Sequence, residues 1–241
     1  MNIFKLIFNI LLPAHCSICG RELFYYEKHF CLHCYADMPL TYFWTLKRHP
    51  AEQTFWGRCY IEKVYSLFIY TNNYRKPIHE LKYKGNIKIG LYLGEMLGKK
   101  ICLLSFPITY LVPVPLHWRK RITRGYNQSE IIAQGILKGM QGKMCRESSG
   151  RENRHPTILP NLLVRKAFTK TQTKKERIDR WQNVKDAFAI NPKVARKIKP
   201  GAKILLIDDV LTTGATLEAC ATILVEQLGC RVSIATLAYV E

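Results

Sequence analysis

The chain of 241 residues is 48% hydrophobic, which lies in the ordinary globular range and allows a sizeable core with a small appendage. Lys and Arg number 37 against 18 Asp and Glu, giving a net charge of +19; such a surface favours nucleic acid, phosphorylated ligands or anionic membrane, although a solubilising basic surface gives the same count. Five of the nine cysteines are scattered singly, which argues against a secreted disulfide framework and predicts a reducing, cytoplasmic compartment.

The N-terminus begins with an apolar run of about ten residues, which is too short to cross a bilayer. The residues Pro-Ala-His before Cys16 are a poor match to a signal-peptide cleavage site. The apolar spacing predicts a short amphipathic helix that ends at Pro13 and docks on the next module or on a partner. Peripheral membrane contact is the alternative, and no transmembrane segment is expected.

Two Cys-x-x-Cys pairs follow this run. Cys16 and Cys19 form the first pair and Cys31 and Cys34 the second, with eleven residues between the pairs. This spacing supplies four thiolates for a closed tetrahedral site, so it predicts structural Zn²⁺ rather than a catalytic metal. The flanking His15 and His33 are alternative ligands, and a redox dithiol is a second alternative that would need a βαβ unit.

Residues 1–55 are predicted to form the N-terminal helix and the zinc-binding module, with 50–53 as a linker, and residues 56–241 the main domain. Apolar periodicity there predicts strands at 64–70, 110–114, 162–164, 203–207 and 231–239, and helices at 77–84, 87–103, 127–140 and 215–228. Alternating strands and helices predict an α/β fold with a parallel sheet flanked by helices. The polar stretch 142–157 has no periodicity and is expected to be a mobile insertion.

The most specific motif is the sequence LLIDDVLTTGAT at residues 205–216. A buried strand runs into two adjacent carboxylates, at the end of the sheet where open α/β folds bind ligands. Gly214 permits a tight turn before a helix N-terminus, which suits a phosphate, and the carboxylates suit sugar hydroxyls or Mg²⁺. The motif therefore predicts a cradle for a sugar 5-phosphate, the alternative being an ordinary strand–turn–helix with a polar turn.

This stretch resembles the phosphoribosyl-pyrophosphate motif of type I phosphoribosyltransferases. The resemblance implies that Asp208 and Asp209 bind the ribose 2- and 3-hydroxyls and act as the catalytic carboxylates, with Mg²⁺ accompanying the ligand. It also implies that the 5-phosphate is held by the turn. The complete binding stretch implied is Asp208, Asp209, Val210, Leu211, Thr212, Thr213, Gly214, Ala215 and Thr216.

Two basic segments, both predicted to be loops, accompany the motif. Residues 111–128 carry four cations and no acid, and residues 165–188 carry eight basic residues against three acidic ones. A pyrophosphate leaving group needs such cations nearby, whereas a solvated basic face is the alternative. The candidates for contact with pyrophosphate are Pro115, Leu116, Arg121, Arg124, Lys175 and Arg177.

The order of these motifs resembles the ComF family: paired cysteine knuckles, a Val-Pro-Val-Pro-Leu strand end, Arg-x-x-Arg-Gly-Tyr-Asn-Gln, and the acid pair. Further matching residues are Lys82, Tyr83, Gln172, Arg177, Asn183 and Phe188. The resemblance implies a phosphoribosyltransferase fold with an N-terminal zinc ribbon and a role in single-stranded DNA uptake during natural transformation.

The first functional hypothesis is therefore a ComF-like protein that binds Mg-phosphoribosyl pyrophosphate. Its expected partners are single-stranded DNA and competence or DNA-processing proteins. Aromatic residues beside the basic segments could stack bases, although such residues are more often core; the candidates are Tyr42, Phe43, Trp44 and Trp118. The second hypothesis is a nucleobase-salvage phosphoribosyltransferase with an unidentified acceptor.

Overall fold

The computed structural model describes residues 14–102, 107–142, 155–166 and 187–241. Three sequence predictions lie outside these ranges: the N-terminal helix, most of the insertion at 142–157, and the positions of Lys175 and Arg177. Among the described helices, none is long and apolar enough to cross a bilayer.

The described elements alternate between strands and helices for most of the chain. In order they are α1 (Leu32–Ala36), α2 (Pro50–Gln53), β1 (Val64–Ile69), α3 (Arg75–Tyr83), α4 (Ile87–Cys102), β2 (Tyr110–Pro113), α5 (Trp118–Arg124), α6 (Gln128–Met140), β3 (Thr157–Ile158), β4 (Leu163–Arg165), β5 (Phe188–Ile190), α7 (Pro192–Ala195), β6 (Lys203–Leu211), α8 (Ala215–Leu228) and β7 (Arg231–Tyr239).

Five strands form a parallel sheet in the order β1-β7-β6-β2-β3. The residues Ile204–Ile207 of β6 are all buried, as expected for a strand covered on both faces. Helices α4 and α6 pack on one face and α8 on the other. The predicted α/β parallel fold is confirmed, and a separate two-stranded antiparallel sheet joins β4 to β5.

The order in which strands are added to the sheet changes direction between β6 and β2. After β2 the chain moves outward to β3, whereas after β6 it moves the other way to β7. Pairing between β2 and β6 ends at Pro113 and Ile207, while β6 continues along β7 to Leu211. The carboxyl end of β6 therefore has an open edge beside the switch point, which is where α/β folds bind ligands.

Four glycines bring α4 and α6 into close contact. A Cβ atom on Gly94 would lie 2.5 Å from the carbonyl oxygen of Ile132, and one on Gly98 would overlap the carbonyl of Ile136. From the other helix, Gly135 and Gly139 approach the α4 backbone in the same way. Because the neighbours are backbone atoms, a side chain at these positions cannot be accommodated by a rotamer change, and α6 is held at a fixed distance from α4.

Three sequence predictions need correction. Residues 50–53 are not a linker but the helix α2, in which Ala51 is fully buried. The basic segment after β2 forms the helix α5. The acid pair lies within β6, because pairing with β7 continues beyond it. In addition, Cys102 is the one cysteine among the described residues that forms a disulfide bond. A single bridged cysteine differs from the dense disulfide framework of small secreted domains.

We predict that Gly98→Ala lowers the free energy of unfolding by about 1–3 kcal/mol, since overpacking against a backbone carbonyl outweighs the gain in helix propensity. Denaturant titration measures the change. Gly142→Ala is the control, because its Cβ would sit 3.4 Å from the nearest carbonyl oxygen and should shift the midpoint little. Equal stability of the two variants would contradict the proposed close contact.

Candidate functional site

The acid pair lies at the carboxyl end of the sheet, and each carboxylate has a different partner. Asp208 Oδ1 accepts hydrogen bonds from the Ser129 hydroxyl (3.1 Å) and from the backbone N–H of Asp209 (2.9 Å). Asp209 is 5% exposed, and its Oδ1 lies 2.9 Å from Lys82 Nζ. Asp209 Oδ2 is buried with no hydrogen-bond partner among the described residues. A buried carboxylate oxygen without a donor is a position for a ligand hydroxyl or a cation.

Burial raises the pKa of Asp208 to about 7, and the neighbouring charge of Asp209 adds to this effect. The Asp209 N–H, Lys82 and the Ser129 hydroxyl oppose it. Because the pKa in the folded chain exceeds the ordinary value of 3.8, folding stability falls as pH rises from the ordinary value toward 7. A ligand that binds the ionised carboxylates would therefore relieve a strain that the free protein carries at neutral pH.

The turn after β6 leads directly into α8. Gly214 has φ of 74° and is the N-cap of this 14-residue helix. A Cβ at Gly214 would lie 3.0 Å from side-chain carbons of Thr54 and Phe55, so both conformation and space require glycine. Within the described chain, the backbone N–H groups of 212–216 have no hydrogen-bond acceptor. Free N–H groups at a helix N-terminus are a site for a phosphate.

Arg58 holds the outer side of this turn. Its Nη1 donates to the carbonyl oxygens of Thr213 and Thr54, each at 3.0 Å, and its Nη2 forms an ion pair with Glu218 in the first turn of α8. Sequence reasoning missed Arg58, because it lies in an irregular segment 155 residues from Thr213. No local pattern marks a residue whose partners are so distant.

The Arg-Gly-Tyr-Asn-Gln motif has a structural role in the described contacts. The Tyr126 hydroxyl donates to the carbonyl of Leu81 in α3. Asn127 Nδ2 donates to the carbonyl of Val114 at the end of β2 (3.0 Å), and Asn127 Oδ1 caps α6 at the Ser129 N–H (3.1 Å). These bonds fix the start of α6, so that Ser129 reaches Asp208.

The candidates for contact with pyrophosphate are only partly brought together. Pro115 and Leu116 are half-buried between β2 and α5. Arg121 is exposed on α5, and Arg124 bonds to Gln128 with its guanidinium 5.6 Å from the Tyr83 ring centroid. Lys175 and Arg177 lie outside the described residues.

The described ends of the second basic segment, residues 165–188, meet in the two-stranded sheet of β4 and β5. Arg165 of β4 pairs with Phe188 of β5, and the Lys166 N–H donates to the Ala187 carbonyl (2.8 Å). Ala187 and Phe188 share an apolar core with Val114, which follows β2. The two ends of the segment are thus anchored beside the strand end that faces the switch point.

The four paired cysteines form one cluster. The Sγ atoms of Cys16, Cys19, Cys31 and Cys34 all lie within 4.8 Å of one another. Burial raises the pKa of the Cys16 thiol, but the backbone N–H groups of Cys19, Cys31 and Ile18 outweigh it and lower the value to about 7. Four sulphurs that converge in this way fit a tetrahedral zinc site. Among described residues the metal-binding group contains neither flanking histidine.

The cysteine cluster packs on α3 and α4 rather than standing apart. Cys16, Phe30 and Met38 belong to the same buried core as these helices. The Tyr74 hydroxyl donates to the carbonyl of Cys34 (3.0 Å), and Lys76 Nζ donates to the carbonyl of Ile18 (2.6 Å). The cluster therefore fixes the beginning of α3.

Comparison with known proteins gives one domain family and several relatives. Residues 159–241 match the family model for the phosphoribosyl transferase domain. The chain is 28% identical over 220 residues to Competence protein F of Haemophilus influenzae, covering 87% of this chain and 78% of that protein. It is 26% identical over 221 residues to DNA utilization protein YhgH of Escherichia coli K12, covering 87% and 83%.

Two further matches cover less of the chain or carry less identity. Competence protein ComFC of Bacillus subtilis is 26% identical over 163 residues, covering 67% of this chain and 58% of that protein. The adenine phosphoribosyltransferase structure from Leishmania tarentolae is 15% identical, covers 63% of this chain and 71% of that one, and has a TM-score of 0.32.

We predict one Zn²⁺ per chain in reduced protein, because the four sulphurs converge at metal-binding separation. Elemental analysis of the purified protein measures the ratio. Cys31→Ser should lose the metal and lower the melting temperature, whereas Cys230→Ser, at a buried cysteine outside the cluster, should keep it. Full-length reduced protein without stoichiometric metal would contradict the zinc prediction.

Proposed function

Because the chain is a phosphoribosyltransferase-like protein of the ComF family, we propose that it binds Mg-phosphoribosyl pyrophosphate and acts in single-stranded DNA uptake during natural transformation. The observation that carries the ligand proposal is the combination of a buried carboxylate oxygen on Asp209 without a donor and unbonded N–H groups in the adjacent turn. The carboxylate oxygen suits a ligand hydroxyl, and the N–H groups suit a phosphate. A ribose 5-phosphate presents both groups.

Each part of the proposed ligand has residues of matching chemistry. Asp208 and Asp209 would accept hydrogen bonds from the ribose 2- and 3-hydroxyls. The turn at 212–216 would donate its N–H groups to the 5-phosphate, aided by the N-terminus of α8. The charge-assisted bonds to the carboxylates would orient the ribose above the open edge of β6.

A magnesium ion fits the same donor set, since carboxylate and phosphate oxygens are its usual ligands. The aspartates of β6 would hold it together with the pyrophosphate, and the metal would supply neutralisation of the leaving-group charge. The cations of α5, including Arg121 and Arg124, follow the end of β2 along the chain, and we assign them to the pyrophosphate of the proposed ligand. Such preorganised positive charge is the main contribution that these side chains could make to departure of pyrophosphate.

Transferase activity toward a nucleobase is the second candidate function. The same site would hold the ribose while pyrophosphate leaves C1, and no nucleophilic side chain would be required. The presence of both the acid pair and the phosphate turn favours retained ligand chemistry, whereas the acceptor is unidentified.

The proposed DNA contact is supported by the exposed helix α5. Trp118 is 50% exposed, and the guanidinium of Arg119 lies 5.2 Å from its ring centroid. Arg119, Lys120 and Arg121 are exposed on α5 together with the Trp118 ring, so they could meet a strand of DNA, as in single-strand binders that combine cations and aromatic rings. Of the other aromatic candidates Phe43 is 7% exposed and belongs to the core, whereas Tyr42 is exposed. Competence or DNA-processing proteins are proposed as further partners.

We predict that Asp208→Asn combined with Asp209→Asn weakens binding of Mg-phosphoribosyl pyrophosphate by a hundredfold or more, since each lost charge-assisted bond costs roughly 1.5–3 kcal/mol. Calorimetric titration gives the affinity. The fold should persist, and stability at pH 8 should hold or rise because two adjacent like charges are removed.

The matched control for the acid pair is Glu226→Gln, which neutralises an exposed carboxylate on α8 and should leave affinity unchanged. Wild-type affinity in the double variant would remove the ligand assignment. Loss of folding in the double variant, seen by circular dichroism, would instead make the carboxylates structural.

We predict that the protein binds single-stranded DNA, with an affinity that falls as salt rises. Replacing Arg119, Lys120 and Arg121 by Ala should weaken binding at about 50 mM salt. It should also reduce the slope of log affinity against log salt by about two, since each of the three phosphate contacts contributes about 0.7 to that slope on a single strand. Fluorescence anisotropy with a labelled oligonucleotide measures both quantities.

A second basic triplet provides the control for DNA binding. Lys193, Arg196 and Lys197 are exposed near the amino end of β2, where the Tyr110 hydroxyl donates to the carbonyl of Lys197. Replacing these three residues by Ala removes the same charge, but at the amino ends of the strands instead of the carboxyl ends. Equal losses in both triple variants would mean that net charge, not the α5 surface, determines binding.

A further inference from the structure

We propose that Arg58 is a positioning residue for the phosphate-binding turn: it orients the peptide group between Thr213 and Gly214 and neutralises Glu218 beneath the phosphate. The inference rests on the proposed binding of a ribose 5-phosphate at this turn. Arg58 precedes β1 and lies far in sequence from the motif, so it extends the site beyond the residues 208–216.

The orientation follows from the geometry of the peptide group. Arg58 Nη1 donates to the carbonyl oxygen of Thr213 at 3.0 Å, and no described peptide bond is cis. In a trans peptide the C=O and N–H bonds point in opposite directions. The Gly214 N–H therefore points away from Arg58, and it has no acceptor within the described chain. Fixing the carbonyl on one side thus presents the N–H on the other.

The same segment restrains the turn by packing. Thr54 supplies the second carbonyl that Arg58 Nη1 contacts, at 3.0 Å. Phe55 is 1% exposed, and its ring lies 3.0 Å from the position that a Cβ of Gly214 would take. The guanidinium is thereby held between two backbone carbonyls and a carboxylate, which is a geometry that its planar fork satisfies and a lysine ammonium does not.

Glu218 gives Arg58 an electrostatic role as well. This carboxylate is 3% exposed and lies in the first turn of α8, where an unpaired negative charge would repel a phosphate at the helix N-terminus. The ion pair with Arg58 Nη2 cancels that charge. Because its own charge is committed to Glu218, Arg58 acts on the ligand through the turn rather than as a phosphate contact.

The test compares Arg58→Met and Arg58→Lys with wild type, using ribose 5-phosphate and Mg-pyrophosphate as separate calorimetric probes. We expect Arg58→Met to bind ribose 5-phosphate at least about tenfold more weakly, the effect of losing one hydrogen bond to a charged group, and Mg-pyrophosphate unchanged. Arg58→Lys should recover part of the loss. Adding Glu218→Gln to Arg58→Met should recover the electrostatic part only.

The control is Arg231→Met, which breaks the ion pair with the buried Glu62 at the amino end of β7 and should not alter binding of either probe. A heteronuclear NOE measurement on the unliganded protein gives an independent readout: the Gly214 amide should lose order in Arg58→Met but not in Arg231→Met. If wild type binds neither probe, the proposed function fails, while an unchanged Gly214 amide overturns the role of Arg58 alone. Equal weakening for both probes would also overturn it.

Discussion

The site depends on one mismatch in strand length: β6 continues past the point where β2 stops. Pairing ends at Pro113 and Ile207, and the next carbonyl of the departing chain, that of Val114, is taken by Asn127. Among the described strands none pairs with β6 on that side beyond Ile207, so the two carboxylates, although buried within the chain, lie at an edge that no described strand covers. The turn, the start of α6 and the end of α3 all gather around this open edge.

Two adjacent buried carboxylates destabilise this edge electrostatically, and the neighbouring donors compensate the two carboxylates unequally. Asp209 receives Lys82 at one oxygen and nothing within the described chain at the other, while Asp208 has a raised pKa despite its two donors. A fold maintained only for stability would gain by replacing such a pair with apolar residues. The ligand that we propose would complete this compensation, and perturbed carboxylates of this kind are typical of functional sites.

Sequence patterns identified the elements that their own residues determine. The bounds of α8 and β7 were predicted to the residue, since long apolar stretches with a glycine at each helix end leave little choice. The supposed linker at 50–53 was wrong because burial of Ala51 depends on packing against distant strands. Sequence analysis missed Arg58 and the short strand β5 for the same reason. Their contacts are with residues distant in sequence, and no local periodicity indicates such contacts.

The cysteine cluster and the acid pair are connected through a single short helix. Tyr74 and Lys76, at the beginning of α3, bond to carbonyls of the cysteine module, and Lys82, at its end, contacts Asp209. The nine residues of α3 contribute too few intrahelical bonds to be stable alone, so tertiary contacts must fix them. A metal held by the four sulphurs would anchor one end of this helix and thereby set the position of Lys82 at the other end. A structural zinc would then influence the proposed ligand site without contacting the ligand.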